Sequence, residues 1–269
     1  MNIELKKPLA AIAYIFVFLC IQAMVSTAVL GFYLLILKKE VSELDSVGMV
    51  VATGLFTIIT IVLFAWLKWS PLSKKFIMTR RWDIILWSII ASLGAIIPSA
   101  YLQDLMPEWP ESIQQQIDQL ARTMLEVMNT TGGYAVICLL APIAEEMVFR
   151  GAALKKLLEW QPERRWLMIF LSALLFALAH MNPAQFIHPL LIGLLLGWMY
   201  ERTGSIIPGI IYHWANNTVA YLLARSYQDP DITVTQIFGD QFHVLMAVGF
   251  SLLIFIPAIY QLNLRMKKS

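Results

Sequence analysis

The chain has 269 residues, 59% hydrophobic and 14% charged, with a formal net charge of +2 and a mean hydropathy of +0.68. A soluble domain carries about 45–50% apolar and about 25% charged residues, so the composition excludes an ordinary soluble protein and points to an integral membrane protein. The small net charge gives no argument for nucleic acid as a partner, and the only cysteines, Cys20 and Cys138, exclude a disulfide framework or a cysteine-based zinc site.

At the N-terminus, Lys6 and Lys7 precede a long apolar run. It exceeds the roughly 7–15 residues of a signal-peptide core and carries no small-residue cleavage site. The run therefore reads as a retained first span. Eight stretches are expected to cross the hydrocarbon as helices: Leu9–Leu37, Val47–Leu67, Ile84–Leu102, Tyr134–Leu158, Trp166–Met181, Phe186–Tyr200, Ser205–Ala224 and Phe242–Leu262. The fifth and sixth are short and separated by Asn182-Pro183, so they form either two spans or one broken re-entrant pair. Between the third and fourth, Glu108-Trp109-Pro110-Glu111 opens a polar segment. Pro110 suits a helix's first turn, and Ile113, Ile117, Leu120, Met124 and Val127 follow at helical spacing. That segment is expected to be an amphipathic helix at the outer interface, packed on the bundle or acting as a lid.

Lys and Arg set the orientation. With the N-terminus cytoplasmic, fifteen cations fall in inside segments, including Lys6, Lys7, Arg80, Arg81, Lys155, Lys156, Arg164, Arg165, Lys267 and Lys268. Four fall outside: Lys38, Lys39, Arg122 and Arg225, and eleven of the eighteen acids join them. Both termini are expected on the cytoplasmic side of a multi-pass cell-membrane protein. No internal repeat or second domain is evident. The expected fold is all-α, a polytopic bundle of about eight transmembrane helices plus one amphipathic interfacial helix. It forms a single domain over 1–269, with its core at about 134–224 and peripheral helices at 9–102 and 242–262.

Three polar clusters interrupt the apolar chain: Glu145-Glu146-Met147-Val148-Phe149-Arg150, Phe176-Ala177-Leu178-Ala179-His180 and His213-Trp214-Ala215-Asn216-Asn217. A charge at the centre of a membrane helix costs roughly 2.5–3.5 kcal/mol on insertion scales. One flanking Leu or Ile returns only about 0.3–0.6 kcal/mol. These groups therefore need partners, water or a chemical use. Glu146 and Arg150, four apart, share a helix face and are expected to pair. Glu145 diverges by about 100° and lacks that partner, which leaves it as the reactive carboxylate. A helix-packing salt-bridge network is the alternative. His213 and Asn217 also lie four apart and offer aligned donors for a developing oxyanion, with interhelical amide bonding as the alternative for Asn216 and Asn217. His188 beside Pro189 reads as structural or substrate-lining, and His243 as a bland interfacial residue.

Two mechanisms fit one Glu and two His brought from three helices. In one, Glu145 and His180 hold and deprotonate a water that attacks a peptide carbonyl, while His213 and Asn217 bind the oxyanion. In the other, Glu145, His180 and His213 ligate Zn²⁺ and leave a fourth position for the water. No HExxH pair favours zinc, and the residue pattern leaves metal dependence open. Counted from the span ends, Glu145 and His213 fall near mid-membrane and His180 at the outer end, about 10 Å away at 1.5 Å per residue. The fifth span is therefore expected to tilt or to begin later.

At these residues the chain resembles the CPBP family of membrane proteases, which includes CAAX prenyl endopeptidases and proteins of bacteriocin processing and self-immunity. Glu145, Glu146 and Arg150 match EExxxR; Phe176 and His180 match FxxxH; His213 and Asn217 match HxxxN/D. The run Arg202-Thr203-Gly204-Ser205-Ile206-Ile207-Pro208-Gly209 resembles the stretch that precedes the third motif. The resemblance covers about Tyr134–Ala224. It implies a helical bundle with a water-filled cavity, in which Glu145 and His180 activate water and His213 and Asn217 serve the oxyanion. Glu146 and Arg150 would support the site. The implied partners are the lipid bilayer and a membrane-embedded or lipid-modified peptide or protein. A non-catalytic bacteriocin-immunity or scaffold protein is the competing class, followed by a proton-coupled carrier.

Overall fold

The computed structural model describes residues 3–38, 46–70, 73–107, 109–229 and 232–266. Lys39, Glu108, Lys267 and Lys268 lie outside them. The described residues form helices and connecting turns, with no strand among them. Helices occupy each of the apolar stretches: α1 (Ile3–Leu35), α2 (Ser46–Trp66), α4 (Trp82–Asp104), a composite helix over 135–160, α8 (Arg165–Ala179), α9 (Ile187–Thr203), α10 (Ile207–Tyr227) and α12 (Gln241–Arg265). Two short helices, α3 (Lys74–Met78) and α11 (Val234–Phe238), lie in connections and carry no periodic signal long enough to be read in advance.

Four helices are long and apolar enough to cross a bilayer by length and composition: Leu5–Leu35, Ser46–Trp66, Trp82–Asp104 and Gln241–Arg265. Their outward faces are apolar, as at Phe16, Val62, Phe250 and Leu253, which suits contact with lipid. The protein is thus a membrane protein built from helices. The other four differ for physical reasons. With 15 and 17 residues, α8 and α9 reach only about 22–26 Å at 1.5 Å per residue. The composite helix and α10 hold the charged and amide residues of the motifs. The fifth span does not begin later than expected: α8 starts at Arg165 and ends at Ala179.

The composite helix changes pitch. Ala135–Leu140 is π-helical, α6 (Ala141–Glu146) is α-helical, Met147–Leu154 is π-helical and α7 (Lys155–Trp160) is α-helical again. Pro142 stands at the start of α6 and has no N–H to give the preceding turn. Ala141 bonds the carbonyl of Val136, five residues back. The next bond in that pattern would run from residue 142 to Ile137, and proline cannot make it. Wide turns of this kind are frequent at functional sites, and here two of them flank Glu145 and Glu146.

Packing is close wherever small residues face a neighbour. A Cβ on Gly193 would sit 2.8 Å from the Ala173 Cβ, and one on Gly197 would sit 2.8 Å from Ile169. Gly193 and Gly197 therefore form a GxxxG face that draws α9 onto α8. Gly94 does the same for α4 and α12, where its Cβ would lie 2.6 Å from the Phe255 nitrogen, and its carbonyl accepts from the Ser251 hydroxyl at 3.1 Å. One core joins α1, α2, α8 and the second π-helical segment; another joins α4, α9, α10 and α12. Helix α5 (Glu111–Asn129) is strongly amphipathic, as expected, with Pro110 just before it. Ile117, Ala121 and Val127 are buried against the bundle, while Ile113, Leu120 and Met124 on the same apolar face remain exposed.

Candidate active site

Each motif arrives on its own helix, and the structure brings the three together. Glu146 and Arg150 make the expected intrahelical pair, with Nη1 and Oε1 2.7 Å apart and side chains 0% and 1% exposed. Arg150 Nη2 also donates to the Gly193 carbonyl of α9 at 3.4 Å, and the guanidinium lies 4.3 Å from the Phe176 ring centroid. A buried charge needs such company, since desolvating it alone costs several kcal/mol. Gly209 of α10 faces the other carboxylate oxygen: a Cβ there would fall 2.7 Å from Glu146 Oε2. Only a glycine lets α10 approach the carboxylate this closely.

His213 stands between the two glutamates. Its Nδ1 is 3.4 Å from Glu146 Oε1 and its Nε2 is 3.8 Å from Glu145 Oε2. The first contact is a close approach rather than a hydrogen bond, because Nδ1 has no aligned acceptor. Glu145 belongs to no ion pair with Arg150; its side chain is 21% exposed, against 6% for His213. The carboxylate with access to solvent is thus the one without a guanidinium.

Phe176 joins the second motif to the other two. Its ring meets the rings of His180 at 4.7 Å, His213 at 5.9 Å and Phe149 at 5.1 Å, all edge to face, a favoured aromatic geometry. His180 caps the end of α8 and is exposed. Its Nδ1 lies 2.8 Å from the Phe176 carbonyl, one of the terminal carbonyls a helix leaves unbonded. A carbonyl can only accept, so Nδ1 carries the hydrogen, and in the neutral ring Nε2 presents a lone pair. The depth mismatch expected for His180 therefore has a structural answer. The histidine stays at the helix end, and Phe176, one turn earlier, reaches His213.

Asn217 is placed differently from the simple expectation of a donor aimed only at substrate. Its Nδ2 donates to the Ile137 carbonyl at 3.1 Å, the acceptor that Pro142 leaves unbonded in the π-helical pattern. One of the two amide hydrogens is committed there and one remains. Asn216, buried beside it, donates to Asn217 Oδ1 at 3.4 Å and to His188 Nε2 at 3.2 Å. His188 is thus wired to the third motif. Its signal in the sequence was a histidine in an apolar stretch with no residue spacing to tie it to a partner. Gly193 and Pro142 were also missed, although a GxxxG pair and a mid-span proline are both readable signals, and Gly209 was seen only as the end of the run before the third motif. His243 pairs with Asp240 at the head of α12, at 2.9 Å, away from the motifs.

Among the described residues no three His, Cys, Asp or Glu side chains are grouped to hold a metal ion.

Residues 128–219 match the family model of Rce1-like type II CAAX prenyl endopeptidases. This segment is similar to that family. It contains Glu145, Glu146, Arg150, Phe176, His180, His213 and Asn217, and the match agrees with the resemblance to the CPBP family. No individual curated protein and no solved structure matches the chain. The family points to a membrane protease acting at the lipid bilayer.

Proposed function

We propose that this protein is an intramembrane endopeptidase that hydrolyses a peptide bond of a membrane-associated protein or peptide, of the prenylated CAAX type, with a water activated by Glu145. The observation that carries the reading is Glu145 Oε2 lying 3.8 Å from His213 Nε2, while Glu146 is held by Arg150. That geometry separates a free carboxylate from a structural one within a single dipeptide.

A water between Glu145 and the Nε2 lone pair of His180 would lose a proton to Glu145 as its oxygen attacks the scissile carbonyl carbon. The carbonyl oxygen, now negative, would be met by an N–H from His213 Nε2 and by the remaining hydrogen of Asn217 Nδ2. Collapse of the tetrahedral intermediate breaks the C–N bond, and the proton on Glu145 passes to the leaving amine. Glu146, Arg150 and Phe176 position the reacting groups. This route needs no metal. The segment resembles a protease family, the cluster lies among apolar helices, and the exposed end of the site is at His180; these observations support the reading. In the same reading the chain crosses the bilayer eight times with both termini cytoplasmic, and α5 lies at the outer interface.

The test uses purified wild type and Glu145→Ala in nanodiscs with a quenched peptide library that includes prenylated CAAX-type members. Cleavage by wild type alone, unchanged by chelator, is expected. Absence of cleavage of every membrane-anchored member by folded wild type would overturn the assignment, and loss of cleavage with chelator would overturn the metal-free route.

A further inference from the structure

We propose that His188 is a positioning residue for the Asn217 amide, acting through Asn216. The inference rests on the reading of Asn217 as an oxyanion donor. It comes from a chain of hydrogen bonds in which every donor and acceptor is determined.

The chain starts at a backbone carbonyl. The Ser99 hydroxyl of α4 lies 2.7 Å from the Ala95 carbonyl and 3.0 Å from that of Ile96. Carbonyls only accept, so the hydroxyl hydrogen is spent there. His188 Nδ1, 3.0 Å from Ser99 Oγ, must then donate. Its Nε2 carries no hydrogen in that neutral tautomer and accepts from Asn216 Nδ2 at 3.2 Å. The second Asn216 hydrogen goes to Asn217 Oδ1 at 3.4 Å, and Asn217 Nδ2 donates to the Ile137 carbonyl at 3.1 Å. Both ends are carbonyls, so no link can be reversed alone.

The consequence falls on Asn217. Its oxygen is turned toward Asn216 and its nitrogen toward Ile137, which leaves one N–H, not a lone pair, for the reacting carbonyl. A flipped amide would present oxygen to a developing oxyanion and repel it. The relay gives α4 and α9, which carry none of the motif residues, control over the polarity of the third motif. His188 is suited to this because a neutral imidazole is donor and acceptor at once, on opposite sides of one rigid ring.

The experiment compares wild type with His188→Leu, His188→Gln and Ser99→Ala in nanodiscs. Leucine fills space without either function, whereas glutamine supplies one donor and one acceptor. With a cleaved peptide, His188→Leu is expected to lower kcat about 10- to 100-fold with KM little changed, as small misplacements of catalytic groups do, and His188→Gln to restore most of it. Side-chain ¹⁵N NMR gives a readout independent of turnover. His188 should show the Nδ1–H tautomer in wild type, Ser99→Ala should shift it, and the Asn217 amide pair should move in both Ser99→Ala and His188→Leu. An Nε2–H tautomer in wild type, or Asn217 resonances unmoved in Ser99→Ala, overturns the relay, as does wild-type kcat in folded His188→Leu. If wild type cleaves nothing, the endopeptidase reading fails, and the tautomer and amide signals still decide the relay. Ser99→Ala opens no large cavity, so it serves if His188→Leu does not fold.

Discussion

Asn217 donates its side-chain amide to the Ile137 carbonyl at 3.1 Å. That carbonyl precedes Pro142 by five residues, the step of a π-helical bond, and proline has no hydrogen to offer it. A residue of the third motif thus repairs the backbone of the helix that carries the first. Two consequences follow at once: α10 is held against the Glu145 helix at one point, and the amide is set in one orientation.

Asn217→Ala should therefore destabilise the protein by about 1–3 kcal/mol, the range for leaving a buried polar group unpaired. Pro142→Ala returns an N–H to the helix, so in that background the loss at Asn217 should shrink by about 1 kcal/mol. Reversible unfolding in mixed micelles measures both singles and the double variant. Additive effects would show that the proline is not the reason for the contact.

The Glu146–Arg150 pair is buried at both ends, and removing one partner leaves an uncompensated charge. Arg150→Met should cost about 3–5 kcal/mol. Arg150→Met combined with Glu146→Gln should cost less than the single change, because no charge is stranded. Thermal unfolding of the two variants beside wild type checks the order, which would be reversed if the pair were solvated.

Glu145 is partly exposed and outside that pair, so its neutral isostere should fold normally. Glu145→Gln is expected to lower peptide cleavage by about 10²–10⁴, the range for a positioned acid or base, with an unfolding midpoint close to wild type. Peptide turnover and thermal unfolding on the same preparation test this together. Full turnover in this variant would remove Glu145 from the chemistry.

Gly209 makes room for Glu146 rather than for a turn. Gly209→Ala places a Cβ 2.7 Å from Oε2 and should destabilise by about 1–3 kcal/mol, as overpacking does. Glu146→Ala removes the carboxylate that the methyl would meet. In that background the alanine at 209 should cost less than it does alone, and unfolding of the double variant reads the difference.

Much of this protein was legible along the chain because its signals are local. Helices appear at all eight apolar stretches, since bilayer-length apolar runs and helical bonding leave few alternatives. The amphipathic period of α5 is local, and so is the i,i+4 spacing that pairs Glu146 with Arg150. The division between Glu145 and Glu146 follows from the 100° step between neighbours on a helix, and it too is visible in six consecutive residues.

What stayed hidden depends on which helices meet. The sequence carries the histidine at 188 and the serine at 99, 89 residues apart, with nothing to show that they touch. Phe176 was one letter of a motif until packing set its ring against both His180 and His213. The position of His213 between two carboxylates also arises between helices. The physical reason is the range of each interaction. Helix formation and i,i+4 pairing act within one turn of chain, whereas hydrogen bonds and ring contacts act over 3–6 Å between segments. Those segments are brought together by glycine faces such as Gly193 and Gly209, so the type of each active group is written locally and its partner is chosen by packing.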